Sequence, residues 1–249
     1  MTKIVLCGAC GKMGRAVADV ISARDDCEII AGVDLNPVKC SDFTIYAKVT
    51  ELPEVPDVIV DFTHPSALED LLQYALINGV ALVLATTGYT PEQIERIHAA
   101  SVQIPIFFTA NMSLGINLLV ELAKKAAAVL GDQFDVEIIE RHHNQKLDAP
   151  SGTALMLANS INDARDGRYN YVYDRHSVRR KREHSEIGIH SLRGGTIVGE
   201  HEIVFAGRDE VITLSHSAAS KEVFAVGAVN AALFIADKPA GLYAMSDMI

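Results

Sequence analysis

The sequence predicts an α/β protein in which a doubly wound parallel sheet is followed by a second, α+β domain with a mixed or antiparallel sheet. Three observations predict it. Strand and helix patterns alternate in the first half, a glycine-rich turn joins the first strand to the first helix, and later strands follow one another closely. Alternating strands and helices form right-handed crossovers and hence a parallel sheet. We expect one domain over residues 1–112, a second over 113–221, and a C-terminal segment, 222–249, that returns to the first.

The strands of the first half are short, continuous apolar runs rich in Val and Ile. Such runs are typical of strands buried on both faces. They are Lys3–Cys7, Glu28–Val33, Val58–Asp61, Ala81–Ala85 and Ile106–Thr109. Two of the helices between them have clear starts. Ser66 and Glu69 have the spacing of a capping box, and Thr90-Pro91-x-Gln93 combines a cap, a first-turn proline and the matching third residue.

The pattern changes after about Asn111. A long helix is expected over Leu114–Leu130, followed by a strand at Val136–Ile139. The later strands lie close together, with turns such as Gly194-Gly195 between them, which indicates a mixed or antiparallel sheet. These strands are Ile187–Leu192, Gly199–Ala206 and Val211–His216. Glu222–Ile235 is again helical and is the segment expected to pack on the first domain.

Composition excludes several classes of protein. With 249 residues and a net charge of −10, the chain is a poor candidate for binding nucleic acid or anionic membranes. No apolar stretch reaches the ~20 residues of a membrane helix, and the N-terminus enters a strand without a signal-like leader. Four cysteines in the N-terminal part do not resemble a secreted disulfide framework, so we expect a cytoplasmic protein. For the basic run Arg175–His184, a solvated loop is favoured over a binding role.

The glycine turn predicts a dinucleotide site. Gly8, Gly11 and Gly14 follow the first strand with the spacing G-x-x-G-x-x-G, and Asp34 ends the second strand. A tight turn, close backbone approach and a helix N-terminus suit a pyrophosphate, and the acid suits a ribose hydroxyl. A purely structural turn in a flavodoxin-like sheet is the alternative. The stretches Ala85–Gly88 and Thr109–Ser113 add small and hydroxyl residues at other strand ends.

The spacing Cys7-x-x-Cys10 in the same turn invites a redox or metal interpretation. No second pair of cysteines completes a zinc site, so this interpretation is disfavoured and no metal is expected. Cys10 would be reactive if it lay at a helix N-terminus.

The stretch "IIERHHNQKLDAPSGTAL", from Ile138 to Leu155, predicts a site for an anionic substrate. A histidine such as His142 can exchange a proton, and Lys146 can donate a proton or hold an anion. Ser151-Gly152-Thr153 begins a helix and supplies backbone N–H groups. Adjacent histidines on a strand point to opposite faces, so His142 and His143 are unsuited to sharing one metal ion.

These residues resemble the dihydrodipicolinate reductase family of lysine and diaminopimelate biosynthesis. The resemblance rests on "ERHHNQKLDAPSGTA", "GACGKMG", "DFTHP", "ATTG", "ANMSLGIN" and "GGTIVGEHEIVFAG". It implies His142 and Lys146 as catalytic proton donors or acceptors, and His143, Ser151, Gly152 and Thr153 as substrate-binding residues. The implied cofactor contacts are Gly8, Ala9, Cys10, Gly11, Lys12, Met13, Asp34, Ala85, Thr86, Thr87, Thr109, Ala110, Asn111 and Met112.

The resemblance also implies an activity and an assembly. The enzyme would use NADH or NADPH to reduce 4-hydroxy-tetrahydrodipicolinate, a cyclic dicarboxylate made from aspartate semialdehyde and pyruvate, to tetrahydrodipicolinate. Residues 1–112 would bind the dinucleotide. Residues 113–221 would bind the substrate and assemble a cytoplasmic homotetramer, and substrate binding would close the domains and exclude water.

The sequence departs from many relatives at three positions. Ala85 stands where many have glycine, Leu35 follows the ribose acid where some have arginine, and Lys221 also stands where some have arginine. The carboxylate of Asp34 favours NADH, while Lys12 and Lys39 offer positive charge to a 2′-phosphate, so we expect dual use with NADH preferred.

Two alternatives remain open at this stage. One is another two-domain NAD(P)-dependent amino-acid or sugar dehydrogenase, which would not explain the Ser-Gly-Thr turn. The other is a non-catalytic dinucleotide-sensing regulator, which should lack the proton donors and carry a DNA- or partner-binding element. A metal hydrolase built on the two histidines is weaker still.

Overall fold

The computed structural model describes residues 1–36 and 40–249. The chain divides into two compact units. The first combines Met1–Leu114 with Lys221–Ile249, and the second is Gly115–Ser220. Lys39, one of the two lysines expected near a 2′-phosphate, lies outside the described residues.

The first unit is built on a seven-stranded sheet with the order β12-β6-β5-β4-β1-β2-β3. Every neighbouring pair is parallel. This order, with its reversal between β1 and β4, is that of a doubly wound dinucleotide-binding sheet, so the predicted fold class is confirmed. The strands are β1 (Thr2–Cys7), β2 (Cys27–Val33), β3 (Ile45–Tyr46), β4 (Val58–Asp61), β5 (Ala81–Leu84), β6 (Pro105–Phe108) and β12 (Gly241–Tyr243).

Helices cover both faces of this sheet, which is why its central strands are mainly apolar. On one face α1 (Lys12–Ser22) and α6 (Glu222–Ile235) enclose an apolar core. On the other face α2 (Leu68–Asn78) and α3 (Pro91–Ser101) enclose a second core. Helix α6 lies so close to the chain after β6 that a Cβ at Gly227 would overlap the Met112 carbonyl oxygen.

One of the two predicted helix starts is confirmed and the other is wrong. Helix α3 begins with a complete capping box, in which the Gln93 N–H donates to Thr90 Oγ1 (3.3 Å) and the Thr90 N–H donates to Gln93 Oε1 (3.0 Å). Ser66 caps nothing. Instead, the ring of His64 accepts the Ser66 N–H (3.2 Å) and starts a short 3₁₀ turn that leads into α2.

The second unit contains a five-stranded mixed sheet with the order β11-β10-β7-β9-β8. Antiparallel pairs join β11, β10 and β7, and parallel pairs join β7, β9 and β8. Helices α4 (Leu114–Leu130) and α5 (Gly152–Asp163) contribute to the apolar core on one face. The strands are β7 (Asp135–His142), β8 (Asn170–Val172), β9 (Glu186–Arg193), β10 (Gly199–Ala206) and β11 (Val211–Ala218).

The basic run folds back on this second sheet. Arg175 pairs with Glu137 and Glu186 at 2.9 and 2.8 Å. Arg182 pairs with Asp135 (2.7 Å) and with Glu137 (2.9 Å). Three arginines of the run, the third being Arg180, are thus paired with acids of the same unit.

Across the described parts of the chain, no helix is long and apolar enough to cross a membrane.

Candidate active site

The residues expected to bind the dinucleotide lie at the carboxyl ends of the parallel strands of the first unit. They follow β1, β2, β5 and β6, on the edge of the sheet where open α/β folds bind their ligands.

The glycine turn after β1 is shaped by close backbone contacts. Gly8 has a φ of +78°, and a Cβ there would lie 2.7 Å from the carbonyl oxygen of Phe62. A Cβ at Gly14 would overlap the Gly8 carbonyl oxygen. Helix α1 begins after Gly11 with no side-chain cap and no acidic residue in its first turn. Its N-terminal N–H groups and positive dipole end therefore suit a pyrophosphate.

Asp34 follows β2 and is bound to the glycine turn. Its Oδ2 accepts the Cys10 N–H at 3.0 Å, and its Oδ1 accepts the Asn36 N–H at 3.2 Å. The side chain of the next residue, Leu35, is 90% exposed. The carboxylate is therefore held beside the turn, and Leu35 adds an apolar group rather than a cation.

The structure corrects the expectation for the cysteines. Cys10 and Cys40 form a disulfide with a Cα–Cα distance of 5.7 Å, while Cys7 and Cys27 are buried free thiols. The loops after β1 and β2 converge because these strands are parallel neighbours, and a separation of 30 residues hid the pairing in the sequence. Cys10 is thus bonded to Cys40 rather than paired with Cys7. Among the described residues, no group of three or more His, Cys, Asp or Glu could hold a metal ion.

Asp61, at the end of β4, organises the neighbouring loops and was missed in the sequence. Its buried carboxylate accepts hydrogen bonds from Thr63 Oγ1 (2.6 Å) and Thr86 Oγ1 (2.7 Å), and Tyr89 lies 3.4 Å away. Burial raises the pKa of Asp61, although these hydrogen bonds oppose the shift. Thr86 therefore turns its hydroxyl inward, and the Ala85 N–H donates to the Asp61 carbonyl oxygen at 3.0 Å, so the start of this segment is held against the end of β4. Its position at a strand end, within the stretch "DFTHP", was the signal available.

The segment after β6 forms a compact polar turn. Asn111 Oδ1 accepts the Ser113 N–H at 2.9 Å, and the Thr109 hydroxyl lies 3.3 Å from the Asn111 carbonyl oxygen. Met112 is buried against the α6 side of the sheet. Thr109, Ala110, Asn111 and Met112 are therefore held in one defined loop.

In the second unit, His142 is the last residue of β7, and its ring is hydrogen-bonded to Glu140 of the same strand. The Nδ1 of His142 lies 2.6 Å from Glu140 Oε2, and the Glu140 side chain is fully buried. Arg193, from the end of β9, donates to both oxygens of Glu140 at 2.7 Å. Burial disfavours the charged form of Glu140, but hydrogen bonds from Arg193, His142 and the Ser151 N–H outweigh it and lower the pKa to about 2.

Sequence reasoning missed Glu140 and Arg193 as partners of His142. The available signal was the period of two in a strand, which places residues 140 and 142 on the same face of β7. The partner from β9 depends on the sheet order and has no local signal.

Lys146 lies in the loop that follows β7. Its Nζ is 2.9 Å from Asp148 Oδ1, and its N–H donates to the His143 carbonyl oxygen at 3.2 Å. The Lys146 side chain is 21% exposed and that of Asp148 is 59% exposed. The ammonium group lowers the pKa of Asp148. Because this pair is open to solvent on the Asp148 side, an incoming carboxylate can take the place of Asp148.

Helix α5 presents its N-terminus beside the same loop. Ser151 Oγ accepts the Ala154 N–H at 3.1 Å and lies 3.0 Å from His201 Nε2. The Ser151 N–H donates to Glu140 Oε1 at 3.1 Å. The polar groups of Ser151 are thus engaged inside the protein, whereas Gly152 is exposed and Thr153 is half-buried at the start of the helix.

His201 is a second buried histidine in this cluster. Burial lowers its pKa to about 4, and the neighbouring His142 adds to the shift. It is therefore neutral at physiological pH. Its ring packs edge-on against that of His142, with 5.2 Å between the centroids. A titratable ring, an ammonium group and a helix N-terminus thus converge in one unit, which suits proton transfer to a bound anion.

Comparison with known proteins gives matches over nearly the whole chain. The family "Dihydrodipicolinate reductase, N-terminus" matches residues 2–112, and "Dihydrodipicolinate reductase, C-terminus" matches residues 115–249. A 4-hydroxy-tetrahydrodipicolinate reductase of Caldanaerobacter subterraneus subsp. tengcongensis is 47% identical, over 100% of this chain and 98% of that one. A second, from Clostridium novyi, is 46% identical with the same coverage.

A solved structure resembles the whole chain. It is the dipicolinate-bound dihydrodipicolinate reductase from Paenisporosarcina sp. TG-14, with a TM-score of 0.84, 28% identity and full coverage of both chains.

Proposed function

The chain belongs to the dihydrodipicolinate reductase family, and we infer that it catalyses the NAD(P)H-dependent reduction of 4-hydroxy-tetrahydrodipicolinate. We propose that its two units bind different reactants. The first unit, Met1–Leu114 with Lys221–Ile249, would bind the dinucleotide, and the second, Gly115–Ser220, would bind the substrate. The reaction belongs to lysine and diaminopimelate biosynthesis. Its product is tetrahydrodipicolinate, which forms when the substrate loses its 4-hydroxyl group as water and takes up a hydride and a proton.

The first unit fits a dinucleotide. The turn at Gly8 to Met13 and the uncapped start of α1 would hold the pyrophosphate, and Asp34 would accept hydrogen bonds from the adenosine ribose. Ala85–Thr87 and Thr109–Met112 would line the nicotinamide side. When bound, the reduced nicotinamide supplies the hydride.

The proton-handling residues are His142 and Lys146. His142 is held by Glu140 through Nδ1, which leaves Nε2 to exchange a proton with the substrate. The Lys146 ammonium would release Asp148, hold a substrate carboxylate and donate a proton to the reduced ring. The observation that carries this proposal is the convergence of Glu140-bound His142, Lys146 and the start of α5 in one unit.

The substrate carboxylates would be held by Lys146, His143 and the N-terminus of α5. The Gly152 and Thr153 N–H groups and the Thr153 hydroxyl are the proposed contacts. Since Ser151 binds Ala154 and His201, it would shape this helix start. The relative from Paenisporosarcina sp. TG-14 was solved with dipicolinate, and we propose that this chain binds the same planar dicarboxylate in competition with substrate.

We also propose that NADH is preferred to NADPH. A 2′-phosphate beside Asp34 would meet a carboxylate at close range, and Leu35 supplies no cation to separate them. Lys12, at the exposed start of α1, reduces the penalty, so NADPH should still be used.

A homotetramer is proposed from the open face of the second sheet. Residues paired across β7, β9, β10 and β11 alternate between the core face and this open face. The open face carries Ile139, Leu192, Val204 and Val211, with the Arg141–Glu202 pair (3.3 Å) among them. Apolar side chains that are half-buried or exposed, together with both signs of charge, suit a second copy of the same chain. Light scattering should give about four times the 26.9 kDa of one chain.

The location proposed for this enzyme is the cytoplasm. Its substrate derives from two metabolites of central metabolism, and its cofactor is a cytoplasmic reductant. The Cys10–Cys40 disulfide would then be open to reduction, since disulfides seldom persist in that compartment.

A coupled assay tests the proposed function. The synthase that condenses pyruvate with aspartate semialdehyde supplies the substrate, and the loss of NADH or NADPH absorbance reports turnover. Oxidation should depend on the synthase and fall when dipicolinate is added. Turnover of aspartate, homoserine or a polyol in its place would support the alternative dehydrogenase.

A further inference from the structure

Glu140 is a completely enclosed carboxylate near the end of β7. Its side chain has no exposed surface. It receives two hydrogen bonds from Arg193, one from His142 and one from the Ser151 N–H. Every one of these partners comes from a different segment: the end of β9, the end of β7 and the start of α5.

The contact between Glu140 and His142 fixes the ring of the histidine. An ionised carboxylate only accepts hydrogen bonds, so Nδ1 of His142 must carry the proton in this contact. The other nitrogen, Nε2, is then the one that accepts a proton when the ring is neutral and donates it when the ring is protonated. A Cβ built at Gly199 would lie 3.1 Å from Nε2, so the glycine leaves that nitrogen uncovered by a side chain of β10.

We propose that Glu140, itself held by Arg193, is a positioning residue that sets the tautomer and orientation of His142 for proton transfer through Nε2. This inference deepens the proposed function and rests on the role given there to His142. Carboxylates that hold a catalytic imidazole in this way also favour its protonated form.

A purely stabilising role explains the arrangement less well. Largely buried ion pairs such as Glu140–Arg193 add little net stability, because the loss of hydration offsets the attraction, and apolar groups of the same volume often stabilise the fold as well. Arg193 also donates to the Asp148 carbonyl oxygen at 2.7 Å. The same guanidinium thus joins the carboxylate behind His142 to the loop that carries Lys146.

The decisive variant is Glu140→Gln, which keeps the shape and removes the charge. We expect kcat to fall by at least about tenfold with a smaller change in the KM for NADH. The dependence of kcat on pH should change as well, because the charge of the group that is hydrogen-bonded to Nδ1 is removed. Glu186→Gln is the matched control. Glu186 is also a buried, arginine-paired glutamate of the second sheet, and it does not contact His142.

A double-mutant cycle separates positioning from general damage. In a His142→Gln background, adding Glu140→Gln should change kcat by less than about twofold, since its effect acts through the ring. A full additional loss there, or an unchanged pH profile in Glu140→Gln, would overturn the inference.

A measurement on the unaltered enzyme remains if the variant does not fold. Nitrogen-15 NMR of the His142 ring in the neutral state should report the proton on Nδ1, and a proton on Nε2 would contradict the proposal. This test does not depend on activity. Wild-type turnover by His142→Gln would instead refute the proposed catalytic role of His142 and leave the tautomer result standing.

Discussion

At the scale of single residues, substitutions of His142 and of Lys146 should affect different kinetic constants. His142→Gln removes a proton carrier but leaves the cations in place, so kcat should fall by roughly 10²–10⁴ while dinucleotide binding is kept. Lys146→Ala should also raise KM, because its charge holds a carboxylate. Steady-state kinetics and NADH titration check both. His98→Gln, on the exposed side of α3, is the control, and a His142→Gln enzyme with normal turnover would contradict the prediction.

Cofactor choice is the second property set by single residues. We expect NADH to lead NADPH by about tenfold in kcat/KM, which corresponds to roughly 1.4 kcal/mol. Leu35→Arg should shift the ratio toward NADPH, because its guanidinium can clamp a 2′-phosphate beside Asp34. Val102→Arg places the same charge on another exposed apolar residue of the first unit and should leave the ratio unchanged. A wild-type preference for NADPH would mean that the positive charge of lysines outweighs the carboxylate of Asp34 in the choice of cofactor.

At the scale of elements, the start of α5 should control substrate affinity. Ser151→Ala removes the cap of Ala154 and the partner of His201, which should lower the free energy of unfolding by about 1 kcal/mol and raise the KM for substrate. The KM for NADH should not change. Ser160→Ala is the control, since the Ser160 hydroxyl donates only to Met156 O, one turn back in the same helix. Equal effects of the two substitutions on substrate KM would contradict the prediction.

The elements also show what a sequence can predict and what it cannot. Strands β1, β4 and β5 were predictable because burial on both faces makes most of their residues apolar. Strands β3, β8 and β12 were missed, since two or three residues carry no periodic signal. The Thr90 cap was predictable from local spacing. The predicted capping box at Ser66 was wrong because the ring of His64 accepts the Ser66 N–H, which the Glu69 side chain would accept in a capping box.

In the candidate site, too, local features were predictable from the sequence and contacts between distant segments were not. The segment from Glu140 to Thr153 is continuous, so its chemistry was visible in the sequence. The contacts of Arg193 with Glu140 and of His201 with Ser151 join segments about 50 residues apart, and the Cys10–Cys40 bond depends on which strands are neighbours. Such contacts follow from sheet order, which a single sequence does not specify.

At the scale of the whole molecule, the buried polar cluster should make stability sensitive to acid. The pKa of His201 is about 4 in the folded protein, below the usual value near 6.5, so between these values the unfolded chain binds a proton that the folded chain does not. Stability is therefore complete above about pH 6.5 and falls as the pH drops toward 4. Urea unfolding should show a loss of about 2 kcal/mol from His201 between pH 7.5 and pH 5.

Two histidine variants, compared by urea unfolding at the same pH values, test whether His201 causes this pH dependence. His201→Gln should lose most of this dependence, whereas His176→Gln, at an exposed position, should keep it. Identical slopes for His201→Gln and the wild type would assign the effect to another group. Below about pH 4.5 the depressed pKa of Glu140 should add a further loss.

The order of segments along the chain has a consequence for synthesis on the ribosome. The first unit needs α6 and β12 to cover its core and its sheet edge, yet these come after all of Gly115–Ser220. At translation rates of about 5–20 residues per second, the apolar face beneath α6 stays uncovered for roughly 5–20 seconds, while the inserted unit can already fold. The nascent first unit therefore keeps an apolar face exposed during synthesis, and it can complete its core only when α6 has left the exit tunnel.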